Sequence, residues 1–125
     1  MTAKKALVLF AHGARDPRWA QPFLKMQAIA QARMPEALVE LAFLELMEPR
    51  LPAVVSQLAE GGCTEVSVVP VFLGQGGHVL RDLPPLIDAL RAQYPSLVLR
   101  VSDAVGESPD VLQAIAAYCV SQTED

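Results

Sequence analysis

The sequence predicts an α/β domain: a four-stranded, all-parallel sheet of order 2-1-3-4 flanked by helices, with residues 1–125 forming one folding unit. Three observations predict it. Apolar runs rich in strand formers begin near residues 6, 37, 65 and 97. Each is followed by a stretch whose apolar residues recur at helical spacing. The resulting repeat of about 30 residues is the length of a βα unit and not of a solenoid. Such alternation needs crossover connections, which are right-handed in nearly all proteins, and that leaves few possible strand orders. A chain of 125 residues is long enough for one core and too short for two.

The first strand is ALVLF, residues 6 to 10, an unbroken apolar run as expected of a parallel strand covered on both faces. Asp16 and Pro17 then mark a helix start, and Trp19, Phe23, Met26 and Ile29 or Ala30 form its predicted buried stripe, ending before Pro35. The second strand is ALVELAF, 37 to 43, and the glutamate in its middle suits a sheet edge. Pro49 opens a helix with Leu51, Val54, Val55 and Leu58 on one face and Gly61-Gly62 as its C-terminal stop. EVSVVPVF, from residue 65, is the third strand. After the glycine run LGQGG, the next helix is expected to start around Asp82, Pro84 and Pro85, with Leu83, Ile87 and Leu90 inward. LVLRV, 97 to 101, is the fourth strand. Ser108-Pro109-Asp110 caps a last helix whose Leu112, Ile115, Ala116 and Cys119 are expected to be buried.

Composition narrows the function. A net charge of −4 lacks the basic footprint of a nucleic-acid binder, so any anionic ligand has to be held by local cations. No apolar stretch approaches the roughly 20 residues of a membrane span, and the N-terminal run stops too early for a secretory leader. A soluble, cytoplasmic protein is expected. Cys63 and Cys119 stand in no metal-binding or redox pattern and are expected as buried thiols.

Ligands of open α/β sheets bind beyond the carboxyl ends of the strands. His12 follows the first strand, Glu45 the second, and His78 lies in the loop after the third, at equal spacing along the chain. Two imidazoles and a carboxylate suit a borderline divalent ion such as cobalt, iron, nickel or zinc. Three protein ligands leave coordination positions open, as catalysis or metal transfer requires. Each residue also has a plain structural use: a strand-end hydrogen bond for His12, a turn cap for Glu45, a solvated loop position for His78. The glycines have two competing uses. Their N–H groups suit phosphate, yet neither GxxxxGK[ST] nor GxGxxG is present. Without Cβ atoms, Gly76 and Gly77 also admit a large flat ligand and positive φ. Arg15 and Arg81, each three residues after a histidine, are candidate partners for ligand carboxylates.

Three segments, HGARDP, FLELMEP and VPVFLGQGGHVLRDLP, together resemble the small single-domain chelatases of the CbiX type, the sirohydrochlorin cobaltochelatases and ferrochelatases. The resemblance spans nearly the whole chain. It departs at Ala14, where the family usually carries serine. It implies a chelatase-like fold and ATP-independent insertion of Co2+ or Fe2+, with Ni2+ a further ion such ligands accept, into sirohydrochlorin for cobalamin or sirohaem. It implies His12 and His78 as metal-binding, proton-accepting residues, Glu45 as the third metal ligand, no cofactor beyond the metal substrate, and a homodimer. Imidazole ordinarily titrates near pH 6.5 and can accept the released pyrrole protons. The rival functions are a non-catalytic metal or tetrapyrrole carrier using the same residues and a phosphate-binding domain built on LGQGG.

Overall fold

The computed structural model describes residues 5–74 and 76–123, with the side chains at positions 77, 78 and 80 outside the description. Its strands are β1 (Lys5–Ala11), β2 (Leu38–Phe43), β3 (Glu65–Pro70) and β4 (Val98–Val101). Its α-helices are α1 (Gln21–Arg33), α2 (Leu51–Glu60), α3 (Gly77–Gln93) and α4 (Pro109–Ser121). The sheet order is β2-β1-β3-β4, every pairing parallel, as the alternation predicts. Phe10 pairs with both Ala42 and Pro70, so β1, β2 and β3 end level and form one rim.

Alternation along β1 divides the core. Ala6, Val8 and Phe10 face α2 and α3, whereas Leu9 and Ala11 face α1. On the first face the predicted stripe of α2 is fully buried: Leu51, Val54, Val55 and Leu58. Burial of such side chains is worth about 1.5–3 kcal/mol each before chain entropy is counted. α2 ends in the Gly61-Gly62 turn. Gly62 adopts φ 93°, its N–H bonds to Ala59 O, and the Cys63 N–H bonds back to Leu58 O, which is a Schellman closure.

Four expectations need correction. Trp19 lies in a 3-10 turn (Pro17–Ala20) ahead of α1, and Met26 and Ile29 are exposed; only Phe23 and Ala30 of the predicted stripe pack on the sheet. Asp16 does cap this turn, its carboxylate accepting the Arg18 N–H at 2.9 Å. α3 begins at Gly77, well before Asp82, and holds Pro84 and Pro85 in its interior. The reason is the buried row Val79, Leu83, Ile87 and Leu90, which continues one turn earlier than the proline signals allow. The prolines withhold the N–H groups that would meet the carbonyls of Leu80 and Arg81. The stripe of α4 is exposed, because nothing in the described chain covers it. Cys119 is exposed with it, while Cys63 is buried as expected. Burial pushes the Cys63 thiol above its ordinary value, with the Glu40 charge adding to the effect.

Among the described residues no helix is long and apolar enough to cross a membrane.

Candidate functional site

The level ends of β1 and β2 bring His12 and Glu45 together. The ladder continues one step past the strands: Leu44 N–H donates to Ala11 O at 2.8 Å, so the two chains leave the sheet side by side. The Phe43 N–H bonds to Pro49 O at 2.8 Å and closes the β2 exit loop upon itself. Within that loop Leu46 takes φ 65°, an uncommon angle for a residue with a Cβ, and the Glu48–Pro49 bond is cis.

Gly13 sets the separation of the two loops. A Cβ there would stand 1.6 Å from Glu45 O and 2.8 Å from Glu45 C, so only glycine permits the approach. Sequence reasoning missed this residue. Its signal was the glycine directly after His12, but its neighbour is far along the chain.

His12 is fixed from two sides. The Trp19 indole N–H donates to the His12 carbonyl at 2.7 Å. The imidazole lies over the buried Phe72 ring, centroids 4.3 Å apart and planes at 33°. Its Nδ1 is 3.6 Å from Glu45 Oε1. That is too long for a hydrogen bond. It is close to the roughly 3.4 Å that separates two donors each about 2.1 Å from one ion at a tetrahedral angle. Both side chains are part-exposed, 38% and 41%. A part-exposed donor pair can take an ion from solution and release it.

His78 belongs to the first turn of α3 and not to a loop, and its side chain lies outside the described residues. Among the described residues no group of three metal-ligand side chains converges. The part of the predicted triad that the structure describes is therefore the His12–Glu45 pair. Gly76 is the N-cap of α3 with ordinary negative φ, and a Cβ on Gly74 or Gly76 would meet nothing within 4 Å. Gly76 thus has open space beside it, without the left-handed backbone considered for it. Position 77 is the first residue of α3. Arg15 and Arg81 are both exposed and form no ion pair with a described residue.

Fold and site together define a parallel α/β module carrying an imidazole–carboxylate pair at the carboxyl rim of its sheet. Residues 6–121 match the CbiX family, and the chain belongs to it. It is 37% identical to a sirohydrochlorin cobaltochelatase of Methanocaldococcus jannaschii over 90 residues, 72% of this chain and 63% of that protein. To a sirohydrochlorin ferrochelatase of Bacillus subtilis it is 27% identical over 112 residues, 90% of this chain and 43% of the relative. The chain thus spans less than two thirds of the length of these relatives. Among solved structures it is similar to a CbiX protein of Marinobacter aquaeolei VT8, with TM-score 0.83, 30% identity, and 94% and 96% of the two chains covered. It is also similar to the sirohydrochlorin chelatase SirB of Bacillus subtilis subspecies spizizenii, solved with cobalt, with TM-score 0.80 and 25% identity over 94% of this chain and 50% of that one.

Proposed function

We propose that this protein inserts a divalent metal, Co2+ or Fe2+, into sirohydrochlorin. The observation that carries the reading is the His12–Glu45 pair, 3.6 Å apart at the rim of a CbiX-family sheet. The fit is chemical as well as geometric. One neutral nitrogen and one anionic oxygen suit borderline first-row ions, and incomplete coordination lets the ion pass to a stronger nitrogen macrocycle.

In this reading His12 and Glu45 hold the metal substrate, and His78, in the first turn of α3, serves as the further ligand. The metal enters as the dication and the macrocycle gives up its inner pyrrole protons, so charge balances with no change in oxidation state and no ATP. Released protons pass to His12 or His78 and on to solvent. Arg15 and Arg81 pair with peripheral carboxylates of the tetrapyrrole, and Gly76 and Gly77 leave space for its plane. No resident cofactor is required, because the metal is a substrate. Two copies of the chain act together, which supports the cleft a macrocycle needs beside a module of this size.

The test is metallation followed by absorption. Purified protein with sirohydrochlorin and Co2+ or Fe2+ should convert the macrocycle faster than metal alone, and His12→Ala and Glu45→Gln should each abolish most of the acceleration. Stoichiometric binding of metal or macrocycle without acceleration would replace the reading with the carrier function.

A further inference from the structure

In the order β2-β1-β3-β4 the outer strands β2 and β4 each have one side without a neighbouring strand. Along a strand, the N–H and C=O groups of successive residues turn to alternate sides. Leu44 N–H donates inward to Ala11 O, so Val39 and Phe43 direct their backbone groups outward from β2. In β4, Val98 N–H and Ser102 N–H donate inward to Thr64 O and Val68 O, so Leu99 is the residue that faces outward between them.

Helical side chains take these outward groups. Gln31 Oε1 accepts the Val39 N–H at 3.0 Å, and Gln31 Nε2 donates to Ala37 O at 2.8 Å. Those are the two groups that a single residue of an added parallel strand would engage, so the Gln31 carboxamide stands in for that residue's backbone. Gln27, one turn earlier on α1, donates from Nε2 to Val39 O at 2.9 Å. Phe43 N–H is already held by Pro49 O. At the opposite edge, Arg91 of α3 donates to Leu99 O from Nε at 3.1 Å and from Nη2 at 2.8 Å.

The two edges fit one another. β4 of one chain laid beside β2 of the next would continue the parallel sheet, and such a head-to-tail contact does not close on itself, so it would grow without limit. A groove of about 290 Å³ beside β4, lined by Leu83, Ile87 and Val101 together with Asp88 and Arg91, has room for apolar side chains of an added strand. Arg91 thus stands both in the groove and on the edge carbonyl. Three long side chains are ordered to cap these edges, at a cost in conformational entropy.

We infer that Gln27, Gln31 and Arg91 guard the sheet against strand addition by further copies of this chain, β4 of one molecule to β2 of the next. The glutamines occupy the β2 edge with a mimic of the missing strand, and the arginine blocks the β4 edge with a charge that an incoming strand would have to displace. The guarded contact is open-ended sheet growth. It is separate from the chelatase reading and from two copies acting together as a closed unit.

Uncapping the edges tests it. Gln27→Met/Gln31→Met/Arg91→Met protein keeps side-chain length and helix propensity while losing the capping groups. The control, Lys25→Met/Gln57→Met/Gln93→Met, removes the same charge and the same two amides at exposed helical positions. Light scattering over a concentration series, followed in parallel with thioflavin T, should show the edge variant rising to at least double the mass of parent and control, with a parent-like far-UV circular dichroism spectrum at dilution. Hydrogen exchange at the Val39 amide should be faster in the edge variant than in the control. Faster exchange without growth overturns the guard, because an uncapped edge then recruits no strand. Unchanged exchange overturns the capping itself, and equal growth in the control overturns the guard by showing that added apolar surface is enough. If the triple variant does not fold at dilution, Arg91→Met alone, which leaves the β2 bonds intact, is read by the same scattering series against Lys25→Met, and absence of growth again overturns the guard. No arm uses metal or macrocycle, so failure here leaves the chelatase reading untouched.

Discussion

Gly13→Ala probes the device that holds the candidate ligands together. The added methyl would sit 1.6 Å from Glu45 O, with Met47 Cγ at 3.2 Å. Ordinary contact begins near 3.4 Å, so backbone has to move by about 1.8 Å. No flexible side chain can absorb this, because the obstructing atom is a carbonyl. The loops must part, straining the Leu44–Ala11 hydrogen bond and carrying the Glu45 carboxylate away from His12. Forced overpacking costs about 1–3 kcal/mol, and a misplacement of about 1 Å in a reacting constellation can cost 10²-fold. Gly74→Ala is the control, since a Cβ there meets nothing within 4 Å. Urea unfolding should show the loss of stability in Gly13→Ala alone, and Co2+ titration followed by visible absorption should show at least a tenfold weaker affinity. If Gly13→Ala binds Co2+ as the parent does and unfolds at the same urea concentration, the close approach does not position Glu45.

Phe72→Ala should lower stability by about 3–5 kcal/mol in chemical denaturation, since the ring is buried against Phe10 and under His12; it should also weaken Co2+ binding by freeing the imidazole. Iodoacetamide should modify exposed Cys119 in the native protein and reach Cys63 only on unfolding, because burial both shields that thiol and keeps it protonated. The Arg18 side chain and N–H hold the Asp16 carboxyl below its ordinary 3.8. A depressed carboxyl pKa stabilises the fold above the unfolded value and stops doing so as pH falls through the folded value. Asp16→Ala should therefore lower the melting temperature slightly at neutral pH, with the difference disappearing below the titration range of the parent carboxyl.

Sequence periodicity revealed the sheet because each buried strand announces itself locally. The run at β1 and the stripe of α2 need no knowledge of the partner surface to be recognised. Misreadings arose where environment overrides local signal. Pro84 and Pro85 look like a helix start, yet Val79 draws the preceding turn into α3 by burying against the sheet. Leu112, Ile115 and Cys119 have the spacing of a buried stripe, but spacing says only that a face is apolar and not that this chain covers it. At the site, the rim rule brought out His12 and Glu45. It could not bring out Gly13, whose role is defined by a carbonyl distant in sequence, or Phe72, whose ring serves both core and imidazole.

The exposure of the His12–Glu45 pair bears on what kind of metal handling the rim can support. A resident structural ion is normally enclosed by a full set of protein ligands, which makes loss of the ion costly. Here the two described candidate donors keep more than a third of their side-chain surface in contact with solvent. Rigidity is supplied behind them instead: Phe72 beneath the imidazole, Trp19 on the His12 carbonyl and Gly13 against the Glu45 backbone. That division keeps the donors in place while leaving their outer side open. An ion held on that side can be approached by a flat nitrogen ligand and taken away without unfolding the rim, which suits a metal that is substrate and cargo better than one that stays.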